Sequence, residues 1–225
     1  MDRTDSIAGR RTEILARIGD AADKAGVDAP KLIAVSKVQP DARVRAALDV
    51  GQTVFGENRV QEAQGRWGET FAAQREGLEL HLVGPLQTNK AKDACALFDV
   101  IQTLDREKLA RALLKAADAT GRMPRLMVQI NIGEEPQKAG IAPDALGPFL
   151  DRLRSEYGLE PAGLMCIPPV DEPAAPHFWT MERLAKAHGL AQLSMGMSAD
   201  YETAVAFGAT HVRVGSALFG ARDYG

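Results

Sequence analysis

Strand-like and helix-like segments alternate along almost the whole chain, and this alternation constrains the fold more than any other feature. Each short apolar run is followed by a longer segment with apolar residues at helical spacing. One further helix, residues 13–26, precedes the first strand. Strands that alternate with helices pair in parallel through right-handed crossovers. The predicted strands are residues 32–37, 53–58, 78–84, 99–104, 125–132, 159–167, 191–196 and 210–220.

Eight such units in 225 residues predict a (β/α)8 TIM barrel, an α/β fold. The competing architecture is a doubly wound open sheet, which usually has fewer strands and a G-x-G-x-x-G turn after the first strand. Here the first strand runs into SKVQP, residues 36–40, which contains no glycine. No linker or internal repeat divides the chain. We therefore expect residues 1–225 to form a single barrel domain with an extra N-terminal helix.

Charge and composition argue against several classes of function. The net charge of −3 gives no footprint for nucleic acid, and no apolar run reaches membrane-spanning length. The N-terminal residues lack the apolar core of a signal peptide. Two cysteines, Cys95 and Cys166, are far apart and form neither a CxxC motif nor a disulfide framework. The sequence therefore predicts a cytoplasmic protein that binds neither nucleic acid nor membranes.

Lys37 ends the first apolar strand, where an ammonium group needs an explanation. In a barrel of this kind the carboxyl ends of the strands form the active site. Desolvation lowers the pKa of a lysine, and the neutral amine can then form a Schiff base with a carbonyl compound. The alternative is a strand-end lysine whose ammonium group reaches past the apolar surface to water.

The loops after the seventh and eighth strands are the usual phosphate site of this architecture. We expect Ser198 to begin the helix after the seventh strand, where its hydroxyl and the nearby N–H groups suit a phosphate. Gly215 allows close approach to backbone N–H groups, with Ser216 beside it. Taken singly, Ser198 is more simply a helix cap and Gly215 a β-bulge. Together with Lys37 they favour a phosphorylated aldehyde, of which pyridoxal 5′-phosphate (PLP) is the natural example.

Five ordered motifs resemble the YggS/PROSC family of PLP homeostasis proteins, whose fold is similar to the barrel domain of alanine racemase. The motifs are AVSKVQP, FGENRVQEA, HLVGPLQTNK, NIGEEPQKAG and LSMGMSADYETAVAFGATHVRVGSALFGAR. They span most of the chain. Leu80 and Leu82 depart from the aromatic or Met side chains that the family more often has beside His81. The resemblance implies a Schiff base on Lys37, phosphate ligands Ser198, Gly215 and Ser216, wall residue Met197, ring neighbour Asn58, and Arg222 facing the pyridine nitrogen.

The implied role of Arg222 has a chemical consequence. A guanidinium group is always charged and only donates hydrogen bonds. Facing the pyridine nitrogen, it disfavours protonation there and leaves the ring a weaker electron sink. The alternative for Arg222 is a surface arginine near the end of the chain.

Three functions compete. The first, which we favour, is PLP binding for vitamin B6 homeostasis without turnover and hence without a catalytic residue. We expect a monomer that buffers PLP, with delivery to apo-enzymes as a further expectation. The second is an amino-acid racemase, which needs a second base opposite Lys37. Eight units use up the chain and leave no second domain to supply that base, and the tyrosines present are Tyr157, Tyr201 and Tyr224. The third is a Schiff-base aldolase, for which only Glu57 offers an acid or base.

The remaining polar residues have simpler interpretations. The four histidines are isolated in sequence, so we expect no metal site. Glu57 lies on the opposite strand face from Asn58 and is interpreted as structural. Lys138 is either a solvated loop charge or a second contact for the cofactor. Lys90 and Lys92 follow the third strand and are interpreted as the basic rim of an anion site. The histidines are His81, His177, His188 and His211.

Overall fold

A closed barrel of eight parallel strands in chain order forms the centre of the computed structural model, which describes residues 6–220. The (β/α)8 prediction is confirmed. The strands are β1 Lys31–Val35, β2 Val54–Glu57, β3 Glu79–Leu82, β4 Val100–Leu104, β5 Arg125–Ile130, β6 Gly163–Cys166, β7 Gln192–Met197 and β8 His211–Val214. Their near-continuous apolar runs fit strands buried on both faces, as in parallel sheets covered by helices.

Helices surround the barrel and bury their apolar faces against it. Gly26 and Gly121 end their helices with φ of 67° and 68°, as the sequence predicts. The helix after β4 is capped at its N-terminus by Arg106 and not by the preceding Asp105. The helices are α1 Ile7–Ala25, α2 Asp41–Asp49, α3 Val60–Ala63, α4 Ala91–Leu97, α5 Glu107–Thr120, α6 Leu146–Tyr157, α7 Ala174–Ala187, α8 Tyr201–Ala206 and α9 Ser216–Phe219.

Two predicted elements differ from the structure in form. The segment 59–77 is helical but divided into α3, a π-helix Gln64–Thr70 and a 3-10 helix Ala72–Gly77. The eighth strand ends at Val214 instead of residue 220, because the Gly215 carbonyl accepts the N–H groups of Leu218 and Phe219 and starts α9. The second difference creates the short loop that matters for the site.

The extra helix, α1, is part of the domain. It starts at Ile7, where Ser6 accepts the Gly9 N–H at 3.1 Å, six residues earlier than predicted. It packs against α2, α8 and α9. Across residues 6–220, none of the helices combines the length and the apolar character that crossing a membrane would require.

Candidate functional site

The predicted site residues end four neighbouring strands. Because β7, β8, β1 and β2 are adjacent in the closed barrel, Ser198, Gly215, Lys37 and Asn58 follow strands that pair with one another. The register places Ala34 opposite Val214 and Val35 opposite Gly56. The four residues therefore occupy one arc of the barrel mouth.

Lys37 lies in a turn beyond β1, not inside the strand as predicted. The strand ends at Val35, and the Gln39 N–H donates to the Ser36 carbonyl at 3.1 Å to close a turn over residues 36–39. Lys37 is half-buried. Since turns position their side chains less rigidly than strands, the direction of this amine depends on what holds the turn.

Ser198 joins the two loops that were predicted to bind phosphate. Its Oγ accepts the N–H of Gly215 at 3.3 Å and that of Ala217 at 3.4 Å. We expected Ser198 to begin α8, and this is wrong. The cap residue of α8 is Asp200, whose carboxylate accepts the Met197 N–H at 2.6 Å. The Ser198 side chain therefore bridges the two loops that were predicted to bind phosphate, and the phosphate site stays a prediction. Ser216 begins α9 and is exposed.

Asn58 lines a different part of the mouth. It borders a cavity of about 260 Å³ together with Gly84, Asn131 and Lys138. It also borders a cleft of about 670 Å³. The lining of that cleft includes the basic side chains Arg59, Lys90 and Arg106.

Lys90 is therefore part of a basic rim, as interpreted, whereas the predicted rim residue Lys92 is exposed on α4 and does not line this cleft. Lys138 forms an ion pair with Glu135, and its Nζ lies 3.4 Å from the Pro168 carbonyl oxygen.

Glu57 faces away from the mouth, on the outer side of β2. Its Oε1 accepts hydrogen bonds from Ser36 Oγ at 2.7 Å, Arg66 Nη1 at 2.8 Å and Trp67 Nε1 at 3.1 Å. Burial raises the pKa of this carboxyl, against the effect of the Arg66 charge. This position agrees with the interpretation of Glu57 as a structural residue. Its carboxylate lies on the opposite face from the next residue, Asn58.

Arg213 is a buried cation that the sequence reading missed. It is 5% exposed, and its guanidinium donates to Ser194 Oγ and to the Cys166 carbonyl, both at 2.7 Å. Burial lowers the pKa of this arginine. Alternation along HVRVG puts His211, Arg213 and Gly215 on one face, and an arginine on that face was the available signal. Arg222, the predicted ring partner, lies outside the described residues.

A chain of hydrogen bonds crosses the barrel interior from Arg213. Ser194 Oγ donates to Gln102 Oε1 at 2.7 Å, and Gln102 Nε2 donates to His81 Nδ1 at 2.8 Å. Because Nδ1 accepts, the proton of the neutral imidazole is on Nε2, which donates to Glu79 Oε1 at 2.8 Å. The interior chain, Arg213–Ser194–Gln102–His81–Glu79, thus links the β8 side of the mouth, where phosphate binding is predicted, to the opposite end of the barrel.

That opposite end gathers three groups capable of binding a metal, although the histidines are isolated in sequence. The ligand atoms of Glu79, His81 and His211 lie within 4.8 Å of one another. Glu79 already pairs with Lys31 at 3.2 Å and Arg125 at 2.7 Å. Two cations therefore neutralise the carboxylate that a metal would need, and the expectation of no metal site stays a prediction.

Comparison with known proteins now identifies the family. Residues 12–223 match the model of the alanine racemase N-terminal domain. A pyridoxal phosphate homeostasis protein of Pseudomonas aeruginosa is 40% identical, with 98% of this chain and 97% of that protein covered. The Escherichia coli K12 protein of the same name is 35% identical over 98% of both chains. The chain belongs to this family of alanine racemase-like PLP homeostasis proteins. The resemblance read from the five motifs is confirmed.

Solved structures agree with the family. PipY of Synechococcus elongatus is 37% identical and has been solved without PLP and with PLP bound, at TM-scores of 0.83 and 0.81 and with 96% of this chain covered. All of each PipY chain is matched. Alanine racemase of Clostridium difficile matches at 16% identity and a TM-score of 0.65, over 94% of this chain and 57% of that one. This last likeness shows the shared barrel alone.

Proposed function

We propose that this protein binds PLP, holds it as a Schiff base on Lys37 and serves in intracellular PLP homeostasis without turnover. The observation that carries the proposal is the arc of neighbouring strand ends that holds Lys37, Ser198 and Gly215. Ser198 contacts the N–H of Gly215 directly, and Lys37 follows the strand that pairs with β8. The names of the relatives and the PLP-bound PipY structure support the same ligand.

The residues present fit such a ligand. Between the ends of β7 and β8, the Ser198 oxygen accepts the N–H groups of Gly215 and Ala217, and this leaves its own O–H to donate to a phosphate. PLP supplies an aldehyde carbon that condenses with a primary amine, and Lys37 provides the amine in the turn that follows the adjoining strand, β1. Ser216 follows Gly215 as the third predicted phosphate ligand, Met197 precedes Ser198 as the predicted wall residue, and Asn58 closes the arc on the β2 side.

A positive charge near the ring would keep its nitrogen unprotonated and weaken turnover chemistry. Arg222 remains the predicted residue for this role. Arg213 is a second candidate, because it is buried inside the barrel two residues before Gly215. Lys138 stays a predicted second contact for the cofactor, at the edge of the cavity that Asn58 lines.

The test is incubation with PLP, reduction with borohydride and peptide mass mapping. We expect a yellow protein with the reduced cofactor fixed on Lys37, and a Lys37→Ala variant that stays colourless. Lys92→Ala is the control, since Lys92 is exposed on α4 and does not line the cleft beside Asn58. A colourless wild-type protein, or label scattered over surface lysines, would overturn the proposal; a colourless protein that still turned over a sugar phosphate would favour the aldolase.

The racemase alternative needs a second base at the mouth. The Tyr157 hydroxyl donates to Glu107 between outer helices at 3.1 Å. Tyr201 lies on α8 with its ring near the Arg17 guanidinium of α1. Tyr224 lies outside the described residues. We therefore expect no more racemase turnover from the wild-type protein than from Lys37→Ala, and a clear excess would favour the enzyme.

We further propose a cytoplasmic monomer that buffers PLP and supplies it to apo-enzymes. Sedimentation of the PLP-loaded protein is expected to give a single species of about the chain mass of 24.2 kDa. Mixing that species with an apo-enzyme should restore the enzyme's activity faster than the same concentration of PLP that has dissociated into solution on dilution. Equal rates would reduce the role to buffering.

A further inference from the structure

One buried arginine holds both ends of the turn that carries Lys37. Arg66 Nη1 donates to the Ser36 carbonyl at 2.8 Å, and Nη2 donates to the Gln39 carbonyl at 2.6 Å. These two carbonyls bracket Lys37 and Val38. Since the guanidinium is rigid and planar, it fixes the separation and the direction of the two peptide groups together.

The guanidinium is itself anchored to the barrel through Glu57. Arg66 Nη1 pairs with Glu57 Oε1 at 2.8 Å, and the side chains are 8% and 0% exposed. Ser36 and Trp67 donate to the same oxygen. Because Glu57 belongs to β2, the turn after β1 is tied to the neighbouring strand by charge-assisted hydrogen bonds in a buried environment. We call Ser36, Glu57, Arg66 and Trp67 the turn clamp.

The π-helix explains how two consecutive residues serve one oxygen. Arg66 and Trp67 lie within the π-helix Gln64–Thr70 and are both buried. Neighbouring side chains on an α-helix point about 100° apart, and the wider π turn changes that relation. Helices of this kind are rare and occur frequently at functional sites. Here the π-helix presents both donors to Glu57.

The turn that the clamp holds has an unfavourable backbone. Val38 has φ of 52°, in the left-handed region that a β-branched residue rarely occupies. Its N–H donates to the Glu62 carboxylate, and its side chain is 64% exposed. Such a conformation persists only where the surroundings impose it, and it is common where function requires a fixed geometry. An exposed valine gains no packing that would explain it.

We propose that Arg66 is a positioning residue for Lys37: anchored by Glu57, it holds the turn in the conformation that points the Lys37 amine into the barrel mouth. The inference rests on the proposed PLP adduct at Lys37. It assigns to the turn clamp a role in the rate and the equilibrium of adduct formation, beyond its contribution to folding.

The experiment compares Arg66→Lys with Arg75→Lys. Arg75 is a matched control, because it also donates to two carbonyls, Leu78 and Leu97, and pairs with a carboxylate, Asp99, at 2.8 Å. It lies at the opposite end of the barrel, ahead of β3. We expect both variants to lose thermal stability. Only Arg66→Lys should form the PLP adduct at least tenfold more slowly and with at least tenfold weaker affinity, and the pH profile of its adduct formation should shift. The rate and affinity of Arg75→Lys should stay within twofold of the wild-type values.

If Arg66→Lys does not fold, Trp67→Phe provides a second test of the positioning role. It removes one donor to Glu57 while retaining an aromatic ring in the core, and a two- to fivefold slowing of adduct formation is expected. The positioning role would be overturned if a folded Arg66→Lys or Trp67→Phe variant formed the adduct with wild-type kinetics. Equal losses of adduct-formation rate in Arg66→Lys and Arg75→Lys would also overturn it. A wild-type protein that forms no adduct on Lys37 would instead overturn the proposed function itself.

Discussion

At the scale of single residues, the mouth depends on close backbone contacts. Gly84 lies directly against Asn58: a Cβ at residue 84 would come within 2.2 Å of the Asn58 carbonyl oxygen and 2.7 Å of its Cα. No flexible side chain can move aside there, because the opposing atoms belong to the backbone. The glycine therefore determines where Asn58 and the end of β2 lie.

Gly84→Ala is expected to destabilise the protein by about 1–3 kcal/mol, because the added methyl group must displace the end of β2. It should also weaken PLP binding through the shift of Asn58. Gly77→Ala is the control, since a Cβ there meets no atom within 4 Å. Chemical denaturation and PLP titration of both variants check the prediction, and unchanged PLP affinity in Gly84→Ala would argue against a role for Asn58.

Ser198→Ala removes the hydroxyl between β7 and β8 and is expected to weaken PLP binding by about tenfold, the effect of one hydrogen bond to a charged group. Binding of pyridoxal, which lacks the phosphate, should change little. Ser155→Ala on α6 is the control, because that hydroxyl donates to the Asp151 carbonyl of its own helix. If both ligands lost affinity equally, Ser198 would not be a phosphate ligand.

At the scale of elements, α1 packs behind the side of the mouth that is predicted to bind phosphate. Arg10 Nε donates to the Leu218 carbonyl at 2.8 Å, which ties α1 to α9. Ile14 and Ile18 of α1 are buried in the main core. The helix added in front of the eight units is therefore a structural part of the barrel.

Ile18→Ala is expected to lower the free energy of unfolding by about 2–4 kcal/mol, as for other large-to-small core substitutions. Ile18 is 1% exposed, whereas Leu15 on the same helix is 37% exposed. Leu15→Ala should therefore cost under about 1 kcal/mol. Urea denaturation of both variants is the measurement, and equal costs would mean that α1 does not pack as described.

Elements with a strong pattern could be predicted, and those set by tertiary contacts could not. Alternation and glycine stops predict eight strands, their order and the end of α5 at Gly121. The turn at Lys37 could not be read from the sequence, because Arg66 holds it from another element thirty residues away. The same holds for Ser198, whose partners follow β8. Arg213 was readable from alternation, but it lies between two buried valines of β8.

At the scale of the whole molecule, the two ends of the barrel differ in chemistry. The mouth has the predicted ligand residues, and the opposite end has the histidine pair with ring centroids 5.6 Å apart. Burial lowers the pKa of His81, and it lowers that of His211 to about 3. His81 and the Lys31 and Arg125 charges hold the pKa of Glu79 well below its usual range. This end is therefore built for neutral histidines and an ionised carboxylate.

Stability is expected to fall as the pH drops below about 6.5, the pKa of an unfolded histidine. Since the folded pKa of His211 is about 3, the unfolded chain binds the extra proton first, and the loss continues down to that pH. Between pH 7.5 and 5.5 this residue should cost roughly 1 kcal/mol. Denaturant midpoints of wild-type and His211→Gln protein check this, and equal pH slopes would contradict it.

The interior chain also limits which side chains can occupy the centre of the barrel. Every link donates in one direction, from the Arg213 cation to the Glu79 anion, so Gln102 must accept on one side and donate on the other. A glutamate at this position would face the lone pair of His81 Nδ1 with a second acceptor. The Gln102 amide thus sets the donor-to-acceptor direction of the interior chain. If this amide were turned over, the His81 imidazole would have to change tautomer and Glu79 would lose its donor.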